Sequence, residues 1–513
     1  MQAPLLEGHP QTDAAAFNAR DILKEAVSGT VSFGIRGVIV ALHYAGNGLI
    51  MSSLGHNEAA ASSLIATLQG LTIGASSGFM LSTGIQLGSA LAEKDLKKQS
   101  AVIKTSWAMA LFFSLLTSAA CLSTEVTFPL VVDREVAIAA STYLKYFAMA
   151  AFPDLLIITN AQIIFQKEKK SWIPLATSIA YRMPALGLSY AFGKTLGWGS
   201  MGVALGSVIS GWLNIIAFQR WFSREAYQAM DLYKLPIPDF STHCKKFLSS
   251  GWKLSMQRIT EWGNLAILTQ IIGAWSSEDL VAEQASIFMI NLCALIAQGG
   301  AQAAMLIAKR DVKEMQLALQ DVSEAGRDVR LSRADYLRKK NRVTFYGSTL
   351  AGVSLSMLVG TGLYLAKGPI LDWYSPDHEP ESVLKQGSAL LLVNFLGLLP
   401  DASRIISAGM LRSWDELVLP MLVSLVAMSL IGIPAGAGWG LAEDKDSVPL
   451  FIIRAMTICL SAAVNLYRVM GHLRQDDADH GAATVLFNQH VADGSARVAA
   501  LENGEGAATP AIT

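Results

Sequence analysis

Glu261 and Asp401 each sit well inside a long apolar segment. An acidic residue at the centre of a membrane helix costs roughly 2.5–3.5 kcal/mol to insert, so a chain keeps one mainly where it meets a partner or a wet cavity. Two such carboxylates at similar depth can share a proton or a small cation, because buried like charges do not both stay ionised without a counter-ion. Arg258 and Arg404 lie three residues from Glu261 and Asp401, on the same helix faces, and are possible counter-ions. The plain alternative is a static internal salt bridge. The spacing of three supports that bridge, but the matching depth of Glu261 and Asp401 favours ion coupling.

A second set lies earlier in the chain. Asp154, which follows Pro153, and Arg36 fall at matching estimated depth. An Arg36–Asp154 ion pair that stabilises its part of the fold is the expected reading, with substrate contact as the alternative. Nothing local assigns Arg182 or Arg454, and Glu283 falls near the mouth of its segment, where water would reach it. Signals of enzyme chemistry fail. Gly193-Lys194-Thr195 lacks the glycine five residues upstream that a phosphate-binding loop needs, since position 188 is Leu. The eight histidines show no metal-ligand spacing, and His43 reads as a packing residue. The four cysteines, too far apart for a zinc site or redox pair, read as core residues. No metal, no cofactor beyond a coupling ion (proton or sodium) and no enzyme activity are expected.

The elements that position these residues follow from composition. Of 513 residues, 52% are hydrophobic and only 16% charged, and mean hydropathy is +0.38. Soluble domains run near a quarter charged, so this is an all-α polytopic membrane protein. A net charge of -1 leaves no basic excess to hold nucleic acid. With about 20 apolar residues needed per crossing, twelve stretches qualify: 27–51, 60–91, 100–122, 137–164, 172–193, 197–219, 250–274, 281–307, 343–366, 385–411, 417–441 and 447–467. The first 26 residues lack the pattern of a cleaved signal, so the first span acts as an anchor. Lys and Arg cluster in alternate loops, while the turns at Leu54 to Ala59 and Ser276 to Asp279 carry none, which predicts both termini in the cytoplasm.

The chain also repeats. Ala92-Glu93-Lys94-Asp95-Leu96-Lys97 matches Ala308-Lys309-Arg310-Asp311-Val312-Lys313, a duplication of six spans. Twelve transmembrane helices in two six-helix lobes related by a pseudo-two-fold axis follow. The divisions are a cytoplasmic segment 1–26, an N-lobe 27–222, a linker 223–246, a C-lobe 247–471 and a tail 472–513, expected to be disordered. The stretch 309–341 reads as a solvated or interfacial helix.

These residues resemble the multidrug and toxic compound extrusion (MATE) transporters. Glu261-Trp262 resembles the family's span 7 element, and Asp401 is followed eight residues on by Gly409-Met410-Leu411-Arg412-Ser413, similar to its span 10 element. Ala282-Glu283-Gln284 and Gly199-Ser200-Met201-Gly202-Val203-Ala204 resemble the entries to spans 8 and 6. The likeness covers about residues 27–471. It implies a cation-coupled antiporter that exports amphipathic, often cationic, organic compounds by rocking two lobes about a cavity. Glu261 and Asp401 would bind the coupling ion, and Trp262 would line the cavity. Two departures stand out: Asn47 occupies the place of the family's span 1 aspartate, and Arg258 and Arg404 replace uncharged neighbours. A lipid-linked sugar flippase of the same superfamily, whose cavity is arginine-rich, and a non-transporting receptor or scaffold are the alternatives. The expected partners are a small-molecule substrate and the lipid bilayer, with the protein a monomer in a bacterial cytoplasmic (inner) membrane.

Overall fold

The computed structural model describes residues 18–130, 134–222, 240–275, 277–320, 327–374 and 381–502. The described residues are helical throughout, joined by short turns. The first lobe runs α1 (Ala19–Ser52), α2 (His56–Ala92), α3 (Leu96–Thr127), α4 (Arg134–Phe147), α5 (Ala151–Glu168), α6 (Trp172–Tyr190) and α7 (Gly199–Phe222). Here α4 and α5 form one span joined by a 3₁₀ turn at Ala148–Ala150. The second lobe runs α8 (Phe240–Trp275), α9 (Ser277–Gln320), α10 (Arg327–Leu365), a short α11 (Lys367–Tyr374), α12 (Glu381–Ser413), then α13 (Val418–Ser424) and α14 (Ile433–Ala442), and last α15 (Val448–Glu502). The helices α13 and α14 are one span, joined by a π-helical stretch at Leu425–Gly432. Each of the twelve expected spans is thus found as helix. Ten are long and apolar enough on their own to cross a bilayer. The other two, α6 and α8, carry Arg182 and the Arg258/Glu261 pair, so polar side chains dilute their apolar character.

Local signals set the ends. Asn18 caps α1, its side chain accepting from the Arg20 amide at 3.1 Å, and Asp95 caps α3 by accepting from the Lys98 amide at 3.0 Å. Outward faces are apolar, as lipid requires: Leu115 is 61% and Leu358 71% exposed.

The lobes meet through α1 against α9 and α2 against α8. Small residues let the backbones approach. A Cβ on Gly37 would lie 2.6 Å from the Leu295 carbonyl oxygen, and Ser250 Oγ reaches Ser82 Oγ at 3.0 Å. Phe33, Leu81, Ile85 and Phe165 of the first lobe share one core with Leu254, Ala303 and Leu306 of the second. These contacts run from the end that holds the start of α1 and the end of α2 as far as the middle of the bundle. The seam is therefore packed shut at that end.

Several expectations are corrected. The repeated motif is a turn in its first copy, with Lys94 at φ 56, but its second copy lies within α9, which runs on to Gln320. The stretch 309–341 is two antiparallel extensions of α9 and α10 sharing a small core of Met315, Ala334 and Leu337, with 321–326 outside the described residues. Of the tail, residues up to Glu502 continue α15 as helix rather than lacking structure. No proline falls between Pro449 and Pro510, and alanine is frequent, so nothing breaks the helix. Most of the linker, 223–239, and residues 1–17 lie outside the described residues.

Candidate functional site

In the second lobe, α8 delivers Glu261 and α12 delivers Asp401 to one guanidinium. Arg404 Nη1 donates to Glu261 Oε1 at 2.9 Å, while its Nη2 and Nε donate to Asp401 Oδ1 at 2.8 and 3.0 Å. Arg404 is 3% exposed. A fixed planar fork thus bridges two helices through two carboxylates, the geometry in which charge-assisted hydrogen bonds are strongest. Pro400 sits inside α12 immediately before Asp401. It removes the N–H that would bond the carbonyl four residues back, which loosens the helix there.

Around this bridge lies a second layer of buried polar groups. Arg258 Nη1 stands 3.5 Å from Glu261 Oε2, and Arg412 Nη2 donates to Gln257 Oε1 at 2.9 Å. Asn264 Nδ2 donates to the Met428 carbonyl at 2.8 Å, inside the π-helical stretch, where the irregular backbone frees acceptors. The expected counter-ions Arg258 and Arg404 are both placed beside their carboxylates. The cross-helix reach of Arg404 to Glu261, and the roles of Gln257 and Arg412, went unread in the sequence. Arg412 did carry a signal, since it belongs to the span 10 element.

Glu283 is fully buried rather than solvated, accepting from Thr269 Oγ1 at 3.0 Å. It faces α8 across the lobe interior, so depth along the span did not decide its exposure. Trp262 lies at the inter-lobe seam, against α2. A Cβ on either Gly70 or Gly74 would come within 3.0 Å of its indole ring.

The first lobe holds a different cluster. Asp154 Oδ1 accepts from Tyr181 Oη at 2.6 Å and from Arg182 Nη2 at 2.9 Å. Arg182 lies over the Tyr181 ring at 4.2 Å and the Tyr44 ring at 5.4 Å. The expected Arg36–Asp154 pair does not form. Arg36 Nε donates instead to Ser178 Oγ at 3.0 Å, because Arg182, one turn further along α6, already holds the carboxylate. Asn47 Nδ2 stands 3.3 Å from His43 Nε2, 3.4 Å from Tyr143 Oη and 3.4 Å from Ser207 Oγ, joining α1, α4 and α7 with no carboxylate in the group. No cluster of His, Cys, Asp and Glu able to hold a metal ion occurs among the described residues.

Two six-span lobes with charged groups buried in each define a multi-pass membrane protein of the two-lobe transporter fold. That fold is the one seen in MATE transporters of solved structure. A eukaryotic MATE transporter superposes with a TM-score of 0.75 at 14% identity, covering 91% of this chain and 99% of that one. An outward-facing multidrug resistance MATE family transporter matches with a TM-score of 0.74 at 13% identity, covering 91% and 99%. In sequence, the chain is 24% identical over 328 residues to a probable multidrug resistance protein NorM of Xylella fastidiosa. That alignment covers 63% of this chain and spans 61% of the relative's length. No family model matches.

Proposed function

We propose that this protein is a transporter, not an enzyme, that exports amphipathic organic compounds by alternating access and is driven by protons at Glu261 and Asp401. The observation that supports this reading is the bridge of Arg404 between the two carboxylates. Of the two ions considered, the proton suits the site better. A sodium ion would have to displace a guanidinium tethered to the same helix, whereas a proton needs one carboxylate oxygen. Protonating Asp401 or Glu261 removes half of what holds Arg404, and loosens α8 from α12. Re-ionisation restores the bridge, so the two protonation states favour two arrangements of one element, as alternating access requires.

The seam packed at the α1-start end suits a state open at the other end. With both termini cytoplasmic in a bacterial inner membrane, as the loop charges imply, this is the outward-open state of a monomer. Trp262, seated on Gly70 and Gly74 of the other lobe, then stands where closure would be felt. The expected preference for cationic substrates has less support: Glu261 and Asp401 are both engaged by Arg404, and Asp154 by Arg182. A second reading, a lipid-linked sugar flippase, is favoured by the buried Arg36 and Arg182.

Dye efflux from inverted vesicles tests the proposal, with proton and sodium gradients imposed in turn. A pH gradient should drive efflux and a sodium gradient should not. Glu261→Gln and Asp401→Asn should each abolish gradient-driven efflux, and the double variant should be no worse than either single one, since the two act as a unit. Normal pH-driven efflux in either variant, at matched expression, removes that residue from the mechanism.

A further inference from the structure

The buried charges of the first lobe do not balance. Arg36 and Arg182 are 8% and 6% exposed, and among the described residues Asp154 is the one buried carboxylate bonded in this group. Asp154 gives a single oxygen, Oδ1, to both Tyr181 and Arg182. Arg36 has a hydroxyl, Ser178 Oγ, as its bonded partner and no carboxylate within ion-pair distance among the described residues. The two guanidiniums are neighbours across α1 and α6. Their closeness follows from register: Ser178, which holds Arg36, is one turn before Arg182 on α6. Arg182 Nη1 and Asp154 Oδ2 are both buried without a hydrogen-bond partner, so the pair leaves one donor and one acceptor free while Arg36 stays without a counter-charge. A guanidinium sealed from water without a counter-charge is costly, and an anion supplied from outside relieves that cost.

We infer that this nest binds an oxyanion, a carboxylate, sulfonate or phosphate, carried by an organic molecule. Arg36 and Arg182 present donors from two helices, the arrangement that takes two oxygens of one anionic group. Tyr181 and Tyr44 fix the Arg182 fork by lying against it. Asp154 completes Arg182 without cancelling Arg36. The inference deepens the transport reading and rests on it for its physiological meaning, but binding is measurable without transport.

The test uses the purified full chain in phosphatidylcholine nanodiscs and proteoliposomes. Equilibrium binding is followed by fluorescence anisotropy with carboxyfluorescein as the anion and ethidium as the cation. Carboxyfluorescein should bind, Arg36→Gln should weaken that binding by about tenfold or more, as loss of a charged hydrogen bond implies, and Arg36→Lys should weaken it less. Ethidium should not compete. If Arg36→Gln fails to give monodisperse protein, the Arg36→Lys comparison carries the test, because the charge is kept and the fork lost. Unchanged carboxyfluorescein binding in a folded Arg36 variant, or ethidium bound in an Asp154-dependent way in its place, overturns the inference. A parallel arm follows fluorescent phosphatidylglycerol between leaflets. Arg36-dependent movement of this lipid, with no carboxyfluorescein binding, keeps the oxyanion site and assigns a lipid phosphate to it. Arg36-dependent binding without movement of either probe in proteoliposomes upholds the site and refutes the transport reading instead.

Discussion

The two lobes place the same dipeptide at equivalent points and use it differently. Pro153-Asp154 lies in the fourth span and Pro400-Asp401 in the tenth, so the duplicated halves match. In the first lobe the aspartate is held by an arginine from the next span, Arg182, and by Tyr181. In the second, its arginine comes from one turn along its own helix and also reaches Glu261 on α8. The first arrangement is a closed pair with a spare cation nearby. The second is a bridge with two legs, either of which can be neutralised while the other still holds. A pair fixes structure, and a bridge can report protonation. The difference arises at the first span of each lobe, where α1 offers Arg36 and α8 offers Glu261.

The comparison breaks first at its pairs. Asp154→Asn should cost about 3–5 kcal/mol, the penalty for stranding a buried partner, because Arg182 has no other carboxylate in reach among the described residues. Asp401→Asn should cost less, about 1.5–3 kcal/mol, since Arg404 retains Glu261. Thermal unfolding of both variants in one detergent checks the order. Equal losses would mean the second lobe holds a pair and not a bridge. Next in size is Gly74→Ala, which sets a methyl within 3.0 Å of the Trp262 ring. Overpacking of this kind costs about 1–3 kcal/mol, and Trp262→Leu in the same chain should restore the melting temperature. Last comes Tyr181→Phe, which removes one hydrogen bond to a carboxylate that Arg182 still holds, about 1.5 kcal/mol, the low end for a charged acceptor. A loss as large as that of Asp154→Asn would show that Tyr181, and not Arg182, holds the aspartate.

Much of this was legible in the sequence for a physical reason. Lipid demands about 20 apolar residues per crossing and tolerates few charges, so the twelve spans and the odd residues within them stand out. Spacing of three on one helix likewise placed Arg258 beside Glu261 and Arg404 beside Asp401. What stayed hidden was choice between helices. Depth matches Arg36 to Asp154 and nothing local assigns Arg182, and only the packing of α6 against α5 and α1 decides that Arg182 takes the aspartate. The same holds for Glu283, whose depth said water and whose helix face said core. The long reach of α9 was hidden too, because residues 309–341 read as a separate interfacial helix, whereas they extend α9 and α10, with Lys340 on α10 paired to Asp311 at 2.7 Å.

That helix has a mechanical consequence. At about 1.5 Å per residue, the 44 residues of α9 form a rod about 66 Å long, more than twice the thickness of the hydrocarbon core. Near its middle, Gly299 lies against Gly34 of the other lobe, so closely that no β-carbon fits between them. The inter-lobe contacts of α9, from Leu295 to Leu306, are centred near the middle of the rod, so a rigid tilt of the helix would pivot there. A tilt of about 5° carries either end through about 3 Å in opposite directions. One arm carries Glu283; the other carries Lys309 and Asp311, paired with Asp415 and Lys340. Movement at one face of the membrane is thereby delivered, with its sign reversed, to the ionic contacts at the other.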